Sequence, residues 1–551
     1  MPGPGTSGLL RRLADDGTAC GEPQQVADLA GTVAALESSE PARWVVTSAQ
    51  AVYPRLLSAG VRVARCHDVA LTAALLQGRD GTTAQSAAGA QVQTAAASQP
   101  GGSPPELPFD VSATPGRDLA AELGALVAGH AAQQAGIAAD PDPPKFALLA
   151  AAESAGGLVA TEMTAAGLPY RADVHDRLLT ELLGPRPAAA GGPPLRPARL
   201  AELAAAISAA LGAVRPVNPD SPAQLIKALA ASGIRVRSTR SSELRTIDHP
   251  VIALLLQYKE LARLHTANGW AWLDSWVSDG RFRPEYVVGG VVSGRWASRG
   301  GGALQIPKLL RQAVVADPGW TLVVADAAQL EPRVLAALAG DRAFASTAAA
   351  GDLYDAVAKA IGSDRAAAKV ALLSAMYGGT GGDGGRSLAL LRRRFPQASA
   401  FVEAAARAGE EGRVVRSVLG RACPPPSASW RAVTSESADP DLQRDPGAGA
   451  AARARGRFTR NFVVQASAAD WALVLLALLR ARLMRMAGPE QPQLVFFQHD
   501  EVIVHCPAAL AGEVAAAIES ASAEATRAVF GPTDVSLPMT TAVVSCYSDA
   551  K

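Results

Sequence analysis

The amino-acid sequence predicts an α+β multidomain protein. Its 551 residues are 49% hydrophobic and 19% charged, which allows more than one buried core. Two segments, 320–330 and 493–507, are apolar and β-branched like strands, and the sequence between them is mostly helical. The second segment has two apolar runs around a short polar centre, so it predicts an antiparallel hairpin. The acidic ends of the two segments can meet only if their strands share one sheet.

The first 140 residues combine short strand and helix patterns with low-complexity sequence. Segments 44–57 and 61–76 each read as a short β and α unit. Residues 80–105 are rich in Gly, Ser, Thr, Ala, Gln and Pro, which predicts a flexible insertion or linker.

From residue 145 to 276 the pattern is helical. Apolar residues recur at helical spacing in 148–167, and 251–276 predicts one long helix. A further helix begins near residue 222, and three residues before it are candidate caps: Asn218, Asp220 and Ser221.

Composition favours a cytoplasmic protein. The N-terminus has neither a sustained apolar core nor a cleavage site, and the longest apolar stretch, 471–479, is shorter than the about 20 residues that span a bilayer. We therefore expect no membrane contact. The net charge of +1 is uninformative, because acidic residues elsewhere can cancel a basic groove. The five cysteines are scattered and lack metal-ligand spacing: Cys20, Cys66, Cys423, Cys506 and Cys546.

Asp326 and Asp500 lie beside the apolar strands and are candidate metal ligands. Phosphoryl transfer uses two divalent ions about 3.5–4 Å apart, one at the attacking hydroxyl and one at the leaving pyrophosphate. Magnesium prefers oxygen ligands and retains water, so one or two carboxylates on rigid strands suffice. Either aspartate alone would more often be a solvated carboxylate at a strand end.

Four residues of a predicted helix continue one stripe. Arg365 and Lys369 are four residues apart, and Leu373 and Tyr377 follow at the same spacing. The two cations could bind a triphosphate, although an isolated pair is more often the basic edge of an amphipathic helix. The glycine-rich segment 378–385 follows no clear strand and lacks the G-K-[ST] ending, which excludes a P-loop.

In this order the residues resemble the motifs of the family A DNA polymerases, the DNA polymerase I family. Asp326–Arg333 resembles motif A, Arg365–Gly378 motif B and Gln498–Glu501 motif C. Three flanking segments also resemble the family: 293–298 with Arg295, 304–307 with Gln305, and 460–470 with Arg460, Asn461 and Gln465. The resemblance extends from about residue 145 to the end of the chain.

The resemblance implies a right-hand polymerase fold with an antiparallel palm sheet, a helical thumb and helical fingers. A small α/β RNase H-like exonuclease-type domain would precede it. The implied domains are a degenerate 3′–5′ exonuclease-like domain (1–140), the thumb (141–285), the first part of the palm (286–345), the fingers (346–453) and the second part of the palm (454–551).

The implied activity is DNA-directed DNA polymerisation in replication or repair. A monomer would bind primer-template DNA and deoxynucleoside triphosphates (dNTPs), with two Mg²⁺ ions or alternatively Mn²⁺. Asp326 and Asp500 would hold the metals, with Glu501 supporting the second carboxylate. Arg365 and Lys369 would bind the triphosphate, and Lys369 could protonate the leaving pyrophosphate.

The remaining roles concern nucleotide choice and DNA contact. Glu331 would crowd the sugar 2′ position and exclude ribonucleotides, while Tyr377 would lie near the template base. Gln329 and Leu373 complete the implied nucleotide site. Contacts with the primer and the minor groove would come from six residues: Arg295, Gln305, Arg460, Asn461, Gln465 and His499. His499 could instead form a metal pair with His505, which we expect on the same strand face.

The sequence departs from the family pattern in several places. Ala327 and Ala328 replace an aromatic residue and a serine of motif A, and Pro332 replaces an aliphatic residue. Leu373 replaces an aromatic residue that would stack on the incoming base, which predicts weaker nucleotide binding. No D-x-E pair occurs before residue 140, so we expect exonuclease activity to be lost. Two alternatives are a non-catalytic primer-template binding protein, which the altered motif A suggests, and a metal-dependent nuclease.

Overall fold

The computed structural model describes residues 6–14, 16–40, 42–81, 118–187, 196–299, 306–349, 351–377, 384–435, 446–486 and 490–550. Its strands are β1 (Gly8–Leu13), β2 (Ala19–Val26), β3 (Arg43–Val46), β4 (Arg65–Asp68), β5 (Leu168–Pro169), β6 (Val277–Ser278), β7 (Arg281–Phe282), β8 (Glu285–Val287), β9 (Ala297–Arg299), β10 (Trp320–Ala327), β11 (Gln493–Gln498), β12 (Glu501–Pro507) and β13 (Met539–Val544).

Its helices are α1 (Leu29–Ser39), α2 (Ala49–Ser58), α3 (Val69–Asp80), α4 (Leu119–Ala138), α5 (Pro143–Ala166), α6 (Ala172–Leu183), α7 (Ala198–Ala210), α8 (Pro222–Ala231), α9 (Ser241–Leu244), α10 (Pro250–Asn268), α11 (Trp270–Trp276), α12 (Leu330–Ala339), α13 (Arg342–Ala348), α14 (Leu353–Ile361), α15 (Arg365–Tyr377), α16 (Gly384–Arg394), α17 (Pro396–Glu410), α18 (Ala428–Ser435), α19 (Pro446–Leu483) and α20 (Ala511–Phe530).

The main sheet has four antiparallel strands in the order β11-β12-β10-β13. Strand β10 is central, and its residues Leu322 to Ala325 are buried because helices pack on the sheet. Strands β11 and β12 are joined by a two-residue turn. The structure therefore confirms the hairpin and the shared sheet that the two strand-like segments predict.

The 38-residue helix α19 packs against α5, α17 and α20. Its buried Trp471 donates a hydrogen bond to Thr526 of α20 at 3.1 Å. Because α19 begins at Pro446, part of the stretch 423–456, which looks loop-rich in sequence, is helical. The predicted boundary between fingers and palm, after residue 453, falls inside this helix, and the domain division remains a prediction.

The N-terminal segment folds as short α and β units, as predicted. Strands β3 and β4 pair in parallel, with α2 between them in sequence. Tyr53 and Val33 pack with Leu158 of α5 in one buried cluster. This segment belongs to the larger of two compact units, which comprises Met1–Gly167, Glu285–Arg299 and Pro318–Val544.

The smaller unit comprises Leu168–Pro284, Gly300–Asp317 and Ser545–Lys551 and is mainly helical. Ser221 caps α8 by accepting a hydrogen bond from the backbone of Gln224, which identifies the cap among the three candidates.

The predicted single helix 251–276 is wrong, because α10 and α11 are separate helices that break at Gly269. The backbone there is extended, and a Cβ at this position would collide with the carbonyl oxygen of His265. Only glycine allows so close an approach.

Two helices are long and apolar enough to cross a membrane, judged by length and composition alone. They are α5 and the Gly447–Leu483 part of α19. Their most apolar windows are 72% and 83% buried inside the fold, as in core helices of soluble proteins, so they are weak indications of a membrane span. All five cysteines are free thiols.

Candidate active site

Three carboxylates come from neighbouring positions at one end of the main sheet. Asp326 in β10 lies directly opposite Glu501, the first residue of β12. Asp500 belongs to the turn before Glu501, and its backbone carbonyl accepts a hydrogen bond from Ala327 at 2.9 Å. Asp326 and Asp500 are half-buried and Glu501 is buried. The hairpin therefore brings together the acidic residues that the sequence singles out.

His499 and Asp500 form the turn between β11 and β12. His499 has a φ of 55°, in the left-handed region, and its side chain is exposed. Partial removal from water and the charge of Arg295 lower the pKa of His499. We therefore expect a neutral imidazole at pH 7, which can donate one hydrogen bond.

The alternative prediction, that His499 and His505 lie on one strand face and form a metal pair, is wrong. His505 is a buried residue of β12 that stacks on Trp320, with ring centroids 4.5 Å apart, near the far end of the strand. His499 is not in a strand at all, because the turn takes it out of the alternation that would put both rings on one face.

The acidic end of the sheet suits a hard divalent cation. Asp326 and Asp500 present carboxylate oxygens from a strand and a tight turn, both held by backbone hydrogen bonds. Within the described ranges, no group of three or more His, Cys, Asp or Glu side chains converges as a complete metal site. A pair of carboxylates is sufficient for Mg²⁺, which retains waters and takes further oxygens from a substrate phosphate.

Glu331, in the first turn of α12, is held by two side chains from other elements. Its carboxylate accepts hydrogen bonds from Arg295 and from the hydroxyl of Tyr377. Gln465 of α19 lies near this hydroxyl, and burial together with Glu331 raises the pKa of Tyr377. The structure thus brings together four residues that the sequence places in separate motifs.

Gln329 lies between β10 and α12 with a φ of 55°. Its side-chain oxygen accepts a hydrogen bond from the backbone of Leu353 at 2.8 Å, at the start of α14. Pro332 occupies the first turn of α12, where the missing N–H costs little.

Arg333 is fully buried, a role that the sequence does not reveal. Its guanidinium donates to four backbone carbonyls, those of Ala328, Ala348, Gly351 and Ser536. These bonds tie the turn after β10 to the end of α13 and to the segment before β13.

The predicted stripe of four residues lies along α15. Arg365 and Lys369 are exposed, while Leu373 and Tyr377 are half-buried. The helix and its face are confirmed, and the nucleotide contacts remain a prediction. Sequence reasoning missed the residues of α14 that contact the two cations, which are described below.

Arg460 and Asn461 lie next to each other on α19, and both are half-buried. Arg460 donates a hydrogen bond at 3.0 Å to the carbonyl of Ala375, in the last turn of α15. The side-chain oxygen of Asn461 is buried without a hydrogen-bond partner. Their DNA contacts remain predictions. Gln305 and Gly378 lie outside the described residues.

Comparison with known proteins agrees with this arrangement. A family model described as DNA polymerase family A matches residues 196–547, which is more than half of the chain. The chain belongs to DNA polymerase family A. Members of this family generally use divalent metal ions.

The curated relatives of this family A chain include bacterial DNA polymerases I. The thermostable DNA polymerase I of Thermus thermophilus is 26% identical over 323 residues, covering 52% of this chain and 36% of that protein. DNA polymerase I of Chloroflexus aurantiacus is 27% identical over 318 residues, covering 52% of this chain and 31% of that protein. The matches thus span only about a third of these relatives' length.

A solved structure shows the same fold. The POL domain of Pol1 from M. smegmatis, in complex with DNA primer-template and dNTP, superposes with a TM-score of 0.69 at 19% sequence identity. The alignment covers 99% of this chain and 93% of that chain. The family A chain therefore has the polymerase fold that the sequence predicts.

A buried ion-pair cluster supports the segment before motif A in this family A chain. Arg421 donates to Glu153 at 2.8 Å and to Asp470 at 3.1 Å, and all three side chains are buried. Gly294 lies so close that a Cβ there would collide with the Arg421 guanidinium. The cluster therefore fixes the backbone next to Arg295. An aspartate inside the apolar run of α19 was the available sequence signal.

Proposed function

We propose that this chain is a DNA-directed DNA polymerase that adds deoxynucleoside monophosphates to a primer 3′-hydroxyl. The observation that carries the proposal is the pairing of β10 with β12, which brings Asp326, Asp500 and Glu501 to one end of the sheet. The family relatives are named DNA polymerase I, and the similar solved structure holds primer-template DNA and dNTP. These are the partners we propose here.

Asp326 and Asp500 would hold two Mg²⁺ ions, with Mn²⁺ as an alternative. When bound, such ions lower the pKa of the attacking hydroxyl and stabilise the leaving pyrophosphate. Glu501 supports this role because it lies opposite Asp326 and next to Asp500. Its side chain is buried, unlike those of Asp326 and Asp500, which are half-buried.

Arg365 and Lys369 would bind the triphosphate from the exposed face of α15. A guanidinium suits two phosphate oxygens at once, and an ammonium can donate a proton to the leaving pyrophosphate. Glu331 would contact the sugar, where its carboxylate excludes a 2′-hydroxyl. The bonds from Arg295 and Tyr377 keep that carboxylate in place before the nucleotide arrives.

Primer and template contacts would come from the residues around this centre. Arg295 contacts Glu331, Gln465 lies near Tyr377, and His499 is exposed in the turn of the hairpin. The minor-groove acceptors are similar for all correct base pairs, so such contacts test pair shape and not sequence. We place the enzyme in the cytoplasm as a monomer, acting in replication or repair synthesis.

We also propose that the N-terminal segment is an inactive scaffold. Its buried Asp68 caps α3, accepting hydrogen bonds from Leu71 at 3.0 Å and Ala49 at 2.7 Å. A carboxylate held by two backbone donors and buried inside the fold serves the local structure. This supports a segment that stabilises the polymerase domains and carries out no excision.

Primer extension with wild type and Asp326→Asn tests the proposal. We expect extension by the wild type and a loss of at least about 100-fold in the variant, because removing a metal ligand costs several kcal/mol of transition-state stabilisation. Glu519→Ala, on the exposed side of α20, is the control. Equal extension by wild type and Asp326→Asn would contradict the proposal. Wild-type binding to primer-template without extension would instead favour the non-catalytic binding protein.

A further inference from the structure

Helix α14 provides an aromatic ring that contacts both cations of α15, Arg365 and Lys369. Tyr354 in the first turn of α14 is 8% exposed. The guanidinium carbon of Arg365 lies 5.5 Å from the centre of its ring, and the ammonium of Lys369 lies 5.7 Å from it. Both distances are within the about 6 Å over which a cation is attracted to an aromatic face.

A carboxylate of the same turn contacts the first cation. Asp352 accepts a hydrogen bond from the Arg365 guanidinium at 2.8 Å, and Asp355 lies 3.6 Å from it. Asp352 is also the N-cap of α14, since it accepts from the backbone of Asp355 at 2.9 Å. Its position is therefore set by the helix start, independently of Arg365.

We propose that Tyr354 is a positioning residue for the incoming triphosphate, and that Asp352 is the carboxylate which Arg365 exchanges for that triphosphate. The inference rests on the proposed polymerase function and deepens it. It assigns to α14 the task of holding the two phosphate-binding cations in readiness.

The ring of Tyr354 offsets two costs of placing Arg365 and Lys369 side by side. Arg365 and Lys369 are like charges at i and i+4, which repel one another, and both are exposed. Ordering each long side chain on binding costs about 0.5–1.5 kcal/mol. The negative face of one buried ring attracts both cations, so part of this ordering is complete before the nucleotide binds.

Breaking the Arg365–Asp352 ion pair costs little free energy because both side chains are partly exposed to water. The side chains of Arg365 and Asp352 are 52% and 34% exposed, and exposed pairs of this kind contribute about 0–1 kcal/mol. A triphosphate carries more charge than one carboxylate and can accept two hydrogen bonds from the guanidinium. It can therefore displace Asp352, while Tyr354 continues to hold Arg365.

Steady-state extension with Tyr354→Leu tests the role of this ring. We expect KM for the dNTP to rise roughly three- to tenfold with kcat changed less than about twofold, as the loss of two cation–π contacts predicts. Tyr354→Phe keeps the ring face and should restore the wild-type KM. If Tyr354→Leu merely misfolded, the apparent kcat would fall because less active enzyme is present. A rise in KM that occurs in Tyr354→Leu and is absent from Tyr354→Phe therefore indicates the loss of the ring.

Asp352→Asn tests the exchange, because asparagine retains the helix cap and removes the charge. We expect KM for the dNTP to fall by up to about fivefold. The matched control is Asp364→Asn, which removes the same charge one residue before Arg365. Asp364 accepts a hydrogen bond from the backbone of Ala367 at 2.8 Å, and this cap is likewise retained. The control should lower KM less than Asp352→Asn does.

Three results would overturn the inference while leaving the polymerase proposal intact. The first is a KM for the dNTP in Tyr354→Leu that equals the wild-type value, and the second is a KM in Tyr354→Phe that rises as much as in Tyr354→Leu. The third is a KM in Asp352→Asn that is higher than in the wild type or the same as in Asp364→Asn. If the wild type does not extend a primer at all, the proposed function fails first.

Discussion

Replacing Glu162 with glutamine should destabilise the larger unit by about 3 kcal/mol at pH 7. Glu162 of α5 is partly buried, with a side chain that is 12% exposed, and it accepts two hydrogen bonds from Arg480, at 2.7 and 2.9 Å. Arg62 and Tyr53 donate to the same carboxylate at 2.8 and 2.6 Å. The cluster joins the N-terminal segment to α5 and α19, so its loss should weaken the proposed scaffold.

The magnitude follows from the pKa of Glu162. Burial alone would raise this pKa, but the charges and hydrogen bonds of Arg480 and Arg62 outweigh it and lower the pKa from 4.5 to about 2. A fall of this size corresponds to about 3 kcal/mol of stability. The variant would also leave the buried Arg480 guanidinium without a carboxylate partner; its remaining acceptors are the backbone carbonyls of Val63 and Ala64 and the hydroxyl of Tyr53. Breaking a buried ion pair in this way costs about 3–5 kcal/mol, which agrees with the value from the pKa.

Urea unfolding followed by far-UV circular dichroism measures the effect. Glu40→Gln is the matched control, because Glu40 pairs with Arg12 at 3.4 Å while both side chains are about 70% exposed. Such a surface pair contributes at most about 1 kcal/mol. A loss in Glu162→Gln no larger than that in Glu40→Gln would refute the reasoning.

The same variant makes a prediction about pH. The pKa of Glu162 is lowered on folding, so its contribution is complete above the unfolded value of 4.5 and is lost as pH falls towards the folded value of about 2. The stability difference between wild type and Glu162→Gln should therefore shrink between pH 4.5 and 2. A difference that stays constant over this range would contradict the linkage.

Three further predictions concern the candidate active site and the N-terminal segment. Leu373→Tyr should lower KM for the dNTP about fivefold, the lower end of the 1–3 kcal/mol of base stacking, and increase dideoxynucleotide incorporation; unchanged incorporation in a competition assay would count against this. Glu331→Ala should raise ribonucleotide incorporation at least about tenfold relative to deoxynucleotides, because removing the carboxylate opens the 2′ position and releases Arg295 and Tyr377; an unchanged ratio of kcat/KM values would oppose it. The wild-type protein, incubated with Mg²⁺ and a primer that ends in a mismatch, should not shorten the primer. Shortening that is abolished by a mutation in residues 1–140 would disprove the proposal that the N-terminal segment is an inactive scaffold.

Local patterns in the sequence predicted most of the secondary structure at the site. The β-branched run ending in Asp326, the hairpin around Asp500 and the spacing of Arg365 and Lys369 all depend on neighbouring residues. Side-chain alternation and helical periodicity are properties of neighbouring residues, so they can be recognised in the sequence without the tertiary structure. The order of the motifs likewise indicated the family.

Conformations and contacts that depend on residues distant in the chain could not be predicted from the sequence. The break at Gly269 depends on close approach to the carbonyl of His265, and the turn at His499 removes that residue from the strand face. Arg460 donates a hydrogen bond to a backbone carbonyl of α15, a contact within the fold that the sequence did not predict. None of these outcomes follows from residue type, because each depends on which atoms the fold brings near.

The sequence by itself thus determined most helices and strands around the site and the chemical types of the candidate catalytic groups. Only the tertiary structure decided that Glu331 is held by Arg295 and Tyr377, and that Tyr354 lies beneath two cations. The physical reason is that hydrogen bonds and cation–π contacts act over a few ångströms between residues far apart in the chain. Their partners are set by packing, which no local pattern encodes.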